Sequence, residues 1–180
     1  MENLKIGFLL HFYQPWWQFP YVLVEIVNKC YRPILSLIKK TPGFCFSANI
    51  NYSLLELLDR DLSKELGCIP FLDHTFLDIV EEFRDAAEQG KIELLGSTAY
   101  HPIMPLIPKN MRMNQMAVDT RLKKTLWGIE RNCEGIFLPE MAFSQNILPN
   151  LKNSGYKWTI LGDAVFKAQY SYVPFDHVID

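Results

Sequence analysis

Leu4-Lys5-Ile6-Gly7-Phe8-Leu9-Leu10, running directly into His11-Phe12-Tyr13-Gln14-Pro15-Trp16-Trp17, is the stretch on which the fold turns. Its first half is nearly all apolar, the pattern of a strand in a parallel sheet covered on both faces. The second half is the turn that follows, and it holds no glycine. A dinucleotide-binding open sheet needs a glycine-rich first turn, so that backbone N–H groups can approach a pyrophosphate. A turn made of imidazole, amide and aromatic groups excludes that fingerprint. An open sheet of another kind and a barrel remain.

Working outward, apolar runs alternate with amphipathic segments. Residues 21–40 carry Leu23, Ile26, Val27, Cys30, Ile34, Leu37 and Ile38 at helical spacing, and Pro33 is expected to break or kink that helix. Residues 44–50 read as a second strand, 53–66 and 71–89 as helices, and 91–98 as a third strand. A loop with Pro102, Pro105 and Pro108 then leads to a long helix over 110–132. A fourth strand at 135–138, a short helix over 144–153 with Ser144 as its N-cap, and a fifth strand at 156–161 complete the pattern. Residues 172–180 are expected to start another extended segment. The resulting β-α-β-α-β-α-β-α-β order is that of an α/β protein with a parallel sheet.

The 180 residues are 49% hydrophobic and 13% aromatic, enough for one domain with a sizeable core. Eighteen basic against twenty acidic residues give a net charge of −2 with no basic block, which excludes the electrostatic footprint of a nucleic-acid binder. No apolar run approaches the ~18 residues that span a bilayer. The N-terminus lacks the basic region and cleavage site of a signal peptide. Cys30, Cys45, Cys68 and Cys133 are scattered without a CxxC pair, so the expectation is buried free thiols in a reducing cytoplasm.

Polar residues collect where the strands end. These are His11 and Gln14, then Asn49 and Asn51, then Ser97, Tyr100 and His101, then Glu140, then Asp163. In a parallel α/β arrangement all these ends share one rim, where ligands bind. With Trp16 and Trp17 beside them, they resemble a carbohydrate site, in which aromatic faces stack on sugar rings and amides and imidazoles bond hydroxyls. Plainer roles compete: Asn51 or Asp163 as helix caps, His101 as a loop histidine, the tryptophans as hydrophobic cover. Glu140 directly follows an apolar strand, where a carboxylate is expected to be partly desolvated and therefore paired or used. Glu93, inside the third strand, points either into a barrel or toward its solvated bottom end.

At these residues the chain resembles glycoside hydrolase family 57, retaining α-glucan-active enzymes on an incomplete, seven-stranded (β/α) barrel. His11-Phe12-Tyr13-Gln14-Pro15 resembles the family's first motif, usually His-x-His-Gln-Pro. Gly90-Lys91-Ile92-Glu93-Leu94-Leu95-Gly96 with Tyr100-His101-Pro102 resembles the second, and Gly135-Ile136-Phe137-Leu138-Pro139-Glu140 the third. The resemblance implies that Glu140 is the catalytic nucleophile, that His11, Gln14 and Glu93 contact the sugar, and that His101 walls the site. Trp16 joins them as a stacking residue. It implies an α-glucan or oligosaccharide partner and neither cofactor nor metal.

Two departures follow. Tyr13 stands where many members have a second histidine, and the family's acid/base aspartate has no counterpart. A full barrel takes about 250 residues, so 1–180 is expected to be the N-terminal portion of a longer, truncated domain, inactive alone. Two other readings stay open. One is a non-catalytic carbohydrate-binding remnant. The other is a metal-dependent deacetylase or mannosidase, for which Asp73-His74 and Asp176-His177 are the only adjacent Asp/His pairs.

Overall fold

The computed structural model describes residues 6–59, 76–127 and 133–170. Its strands are β1 (Leu9–Phe12), β2 (Phe46–Ile50), β3 (Ile92–Leu95), β4 (Gly135–Ile136) and β5 (Trp158–Thr159). The helices are α1 (Pro20–Ile26), α2 (Arg32–Lys40), α3 (Tyr52–Asp59), α4 (Leu77–Glu88), α5 (Lys109–Trp127), α6 (Leu148–Asn153) and α7 (Asp163–Tyr170). Every pairing is parallel, β1 to β2 to β3 and β4 to β5, and a bridge between Gly96 and Ile136 joins the two sheets. Chain order equals spatial order, with a helical crossover after each of the first four strands. That is the order of a (β/α) barrel, in which no reversal of strand sequence occurs. Among the described residues the barrel is not closed.

The first strand lies later than expected. Leu9 pairs with Ser47 and Phe12 with Ile50, while Ile6 and Phe8 are 70% and 51% exposed. Residues 4 and 5 lie outside the described residues. Burial on β1 is one-sided rather than two-sided. Leu10 and Phe12 face the helices with Phe46, Ala48 and Ile50, whereas Leu9 and His11 share the opposite face with Ser47, Asn49 and Glu93. Phe12 meets Tyr31 and Phe83 edge to ring, at centroid distances of 5.3 and 5.0 Å. The polar face is what remains for a site.

Pro33 neither breaks nor sharply ends its helix. A π turn over Val27–Tyr31 precedes it, and α2 starts at Arg32 with Pro33 in its first turn. Proline lacks an N–H and crowds the carbonyl four residues back; widening the preceding turn absorbs both effects. Gly90 ends α4 in the left-handed region at φ 70°, with Lys91 N–H bonded to the Ala86 carbonyl and Gly90 N–H to that of Ala87. This C-terminal closure delivers the chain into β3. At Gly96 a Cβ would fall 2.3 Å from the Tyr156 hydroxyl, so only glycine admits that ring where the two sheets join.

The other expectations hold in part. The helices over 53–66 and 71–89 are seen as α3 and α4, and residues 60–75 lie outside the described residues. The same holds for 128–132 and for 172–180. Ser144 precedes a 3-10 turn (Gln145–Ile147), but its hydroxyl bonds the Asn146 side chain and caps no backbone N–H. Cys30 and Cys45 are exposed, contrary to the expectation of buried thiols, because both sit on solvent-facing positions of their segments. Cys68 lies outside the described residues. No helix among the described residues is long and apolar enough to cross a membrane.

One buried ion pair ties these pieces together. Asp119 of α5 is fully buried. Its Oδ1 accepts the Tyr52 N–H at 3.0 Å, capping α3 from another helix; its Oδ2 accepts the Ser97 N–H at 3.0 Å and Lys123 Nζ at 2.7 Å. Lys123 also donates to the Leu95 carbonyl at 2.9 Å. Asp119→Ala would leave a buried ammonium and two backbone donors uncompensated. Its expected cost is about 3–5 kcal/mol, read as a lower denaturation midpoint with unchanged slope. A loss below about 1 kcal/mol, the scale of a surface ion pair, would contradict this role.

Candidate functional site

His11 is the third residue of β1, and pleating turns its ring to the polar face. Nδ1–H donates to Asn49 Oδ1 at 2.7 Å, from the register-matched position on β2. With Nδ1 carrying the proton, Nε2 is left as an acceptor toward the rim. Around this ring the structure builds an aromatic stack. Phe137 lies 4.6 Å away at an interplanar angle of 22°, and His101 lies at 5.2 Å. Tyr13 packs on His101 at 4.2 Å. Three chain segments thus meet, from the ends of β1, β3 and β4.

Glu140 stands beside this stack, close enough for its charge to act on His11, His101 and Tyr13. It lies in a 3-10 turn (Pro139–Met141) and takes φ 55° and ψ 19°. His101 has φ 55° and Met141 φ 50°; among the described residues these three are the only non-glycines in the left-handed region. Each such residue costs about 1–3 kcal/mol, and such residues cluster where a site needs one side-chain direction. The expected desolvation of Glu140 is not observed: its side chain is exposed.

Loss of hydration dominates the electrostatics of the rings. It lowers the pKa of His11 from the usual 6.5, against the opposing Asn49 bond and Glu140 charge. It lowers His101 too, helped by His11 and opposed by Glu140. Tyr13 is raised, first by desolvation and then by Glu140. Near neutral pH the rings of the stack are therefore uncharged.

The other expected site residues are more spread out. Glu93 shares the polar face with His11 but sits one layer deeper, about 7 Å at two residues of strand rise. It is exposed, and Ser47 Oγ donates to its Oε2 at 2.6 Å. Gln14 is drawn away into its own loop, where its Oε1 accepts Gln18 Nε2 at 2.7 Å. Trp16 is 60% exposed and lines a separate groove with Glu56 and Tyr100. Asn51 Nδ2 bonds Ser53 Oγ at 3.0 Å, so its amide caps no backbone N–H of α3. Asp163 accepts the Ala164 N–H at 2.8 Å and pairs with Lys167, staying at the start of its own helix.

Two residues that the sequence did not single out hold the rim in place. Asp119 is one. Arg112 is the other: buried, it donates from Nε to the carbonyls of Met104 at 2.8 Å and Ile107 at 2.9 Å, and from Nη1 to that of Asn146 at 3.3 Å. It binds the proline loop after β3 to the segment after β4. No local pattern marks a buried arginine whose partners are carbonyls. Among the described residues no three His, Cys, Asp or Glu side chains converge as around a metal ion. Asp73-His74 and Asp176-His177 lie outside them.

The lowered imidazole pKa values carry a stability sign. The unfolded chain takes up protons near pH 6.5 before the folded one does, so stability is flat above that pH and falls as pH drops below it. Histidine NMR titrations should give midpoints below 6.5 for both His11 and His101. A midpoint at or above that value for either ring would show that the desolvating stack is not formed in solution.

Comparison with known proteins bears on the fold and the family. The sequence profile of glycosyl hydrolase family 57 matches residues 8–175. An α-amylase of Pyrococcus abyssi is 23% identical over 166 residues, covering 92% of this chain and 23% of the amylase. The crystal structure of a 4-α-glucanotransferase from Thermococcus litoralis superposes with a TM-score of 0.72 at 22% identity, over 91% of this chain and 24% of the enzyme. The α-amylase AmyC of Thermotoga maritima gives a TM-score of 0.66 at 19% identity, over 87% of this chain and 39% of that one. The chain spans about a quarter of the length of the curated relatives it matches. With that match over most of its length and its parallel strands in barrel order, the chain belongs to glycosyl hydrolase family 57.

Proposed function

We propose that residues 1–180 are the N-terminal, nucleophile-bearing portion of a retaining enzyme acting on α-glucans, with Glu140 as the nucleophile. The observation that carries this is the placement of Glu140. An ionisable carboxylate on a strained backbone stands against two neutral imidazoles on the rim of a barrel sheet. Family membership supports the reading, as do relatives named α-amylase and 4-α-glucanotransferase.

In this reading Glu140 attacks the anomeric carbon as the glycosidic oxygen leaves, giving a covalent glycosyl ester. Water or a second sugar hydroxyl then releases it. A retaining pair needs its second carboxyl about 5–5.5 Å away, and that acid/base residue comes from beyond residue 180. His11 Nε2 accepts a sugar hydroxyl while Asn49 holds the ring. Tyr13, where the family motif usually has histidine, offers a neutral hydroxyl. Phe137 and the stacked rings keep water from one side of the ester. Glu93 bonds more deeply placed hydroxyls, and Gln14 has to turn from Gln18 to reach the sugar. The exposed Cys30 and Cys45, unbridged, suit a reducing cytoplasm.

A test needs no acid/base residue. Fluoride leaves without protonation, so the carboxylate of the 180-residue chain should by itself attack the anomeric carbon of a 5-fluoro-α-glucosyl fluoride, displacing fluoride and becoming glycosylated. Mass spectrometry is expected to find one fluoroglucosyl unit on the peptide containing Glu140, and none in Glu140→Gln. On maltooligosaccharides the same chain should show no turnover. Sugar binding without any label would favour the non-catalytic carbohydrate-binding reading, and a label elsewhere would remove Glu140 from its role.

A further inference from the structure

Beside the His11 stack the rim carries a second concave feature. It is a groove of about 550 Å³ lined by Trp16, Glu56, Leu57, Asp59 and Tyr100. This lies within the roughly 300–1,000 Å³ of small-molecule clefts. Its floor is the buried Leu57, and its walls are Trp16 and Tyr100, 60% and 45% exposed. The two rings face each other across one concavity, which distinguishes them from the other exposed rings. The polar end is Glu56. Tyr52 Oη donates to its Oε1 at 3.3 Å and Tyr100 Oη to its Oε2 at 3.4 Å. The two tyrosine rings meet edge to face at 5.7 Å.

This is a held carboxylate between aromatic surfaces. Desolvation and Glu56 raise the pKa of both phenols, so each remains a donor across the physiological range. A carboxylate has about four acceptor sites, and two are taken by the tyrosines. The free sites on Glu56 and those of Asp59 accept hydroxyls, and the indole offers a stacking face. That is the chemistry of a neutral polyhydroxylated ring. The groove is separate from the stack but tied to it by the chain. Tyr100 precedes His101, about 3.8 Å away along the backbone, and Trp16 lies three residues after Tyr13.

We propose that this groove is an accessory subsite for a pyranose ring of the glucan, one or more units away from the residue held at Glu140. The proposal rests on the α-glucan reading above. It gives Trp16 and Tyr100 a role distinct from that of the histidines: they favour longer chains.

Calorimetry on the 180-residue chain with maltoheptaose and maltotriose, for Trp16→Ala, Glu56→Gln and His11→Ala, tests it. Either groove variant is expected to weaken maltoheptaose about tenfold and to leave maltotriose within about twofold, whereas His11→Ala weakens both. All three positions are exposed, and the circular dichroism spectrum checks that each variant folds. In the unaltered chain, the Trp16 indole N–H resonance should shift on adding maltoheptaose. Unchanged maltoheptaose affinity in both groove variants, with His11→Ala still weakened, overturns the subsite alone. No binding of either sugar by the unaltered chain overturns the subsite together with the glucan reading.

Discussion

The carboxylate of Asp119 is the interaction on which the arrangement depends. Taking a carboxylate and an ammonium out of water is costly, and only complete hydrogen bonding offsets that cost. Here the compensation comes from the places where the strands end: the Tyr52 N–H after β2, the Ser97 N–H after β3 and the Leu95 carbonyl. The pair therefore cannot be satisfied unless α5 lies against both strand ends at once. Ser97 extends the link by donating from Oγ to the Phe137 carbonyl at 3.2 Å. One buried charge pair thus sets the height of three strand ends, and those ends carry the site.

What the site gains from this is fixed direction. His11 is held by Asn49 across a parallel register, so its tautomer follows from the sheet rather than from any loop. His101 and Glu140 are instead aimed by left-handed backbone, which disfavours any residue with a Cβ. Such conformations persist only where surrounding structure overdetermines them. Arg112 supplies that constraint by clamping the proline loop to the segment after β4. Between them, packed rings take part of the water from the imidazoles while Glu140 itself stays hydrated. The rings are thus neutral, and the Glu140 carboxyl stands at their edge.

Much of this was legible in the order of residues. The alternation of apolar runs and amphipathic segments fixed the class, because a strand and a helix have different periods that apolar residues must follow. The glycine-free turn after the first strand removed the nucleotide fold. The polar residues at strand ends marked the rim, and His11, His101 and Glu140 do meet there. Boundaries were less legible. β1 is set by pairing with Ser47–Ile50 and not by its own apolar run, so it begins at Leu9 and leaves Ile6 and Phe8 in solvent.

Two aspartate–lysine pairs show where local pattern runs out. Asp119–Lys123 and Asp163–Lys167 have the same i,i+4 spacing on a helix, the signature of a solvated surface pair. The second is one, with side chains 68% and 49% exposed; the first is 0% and 6% exposed and organises the fold. In the same way, Glu56 reads as a surface helix residue, paired with Tyr52 one turn earlier, until Tyr100 is brought to it. The sequence by itself determined the class, the order of elements and the rim on which chemistry could sit, because periodicity and turn chemistry act over a few residues. Only the tertiary structure decided which charges are buried, which way Gln14 and Trp16 turn, and how far Glu140 stands in water, because burial is a property of what other segments bring to a side chain.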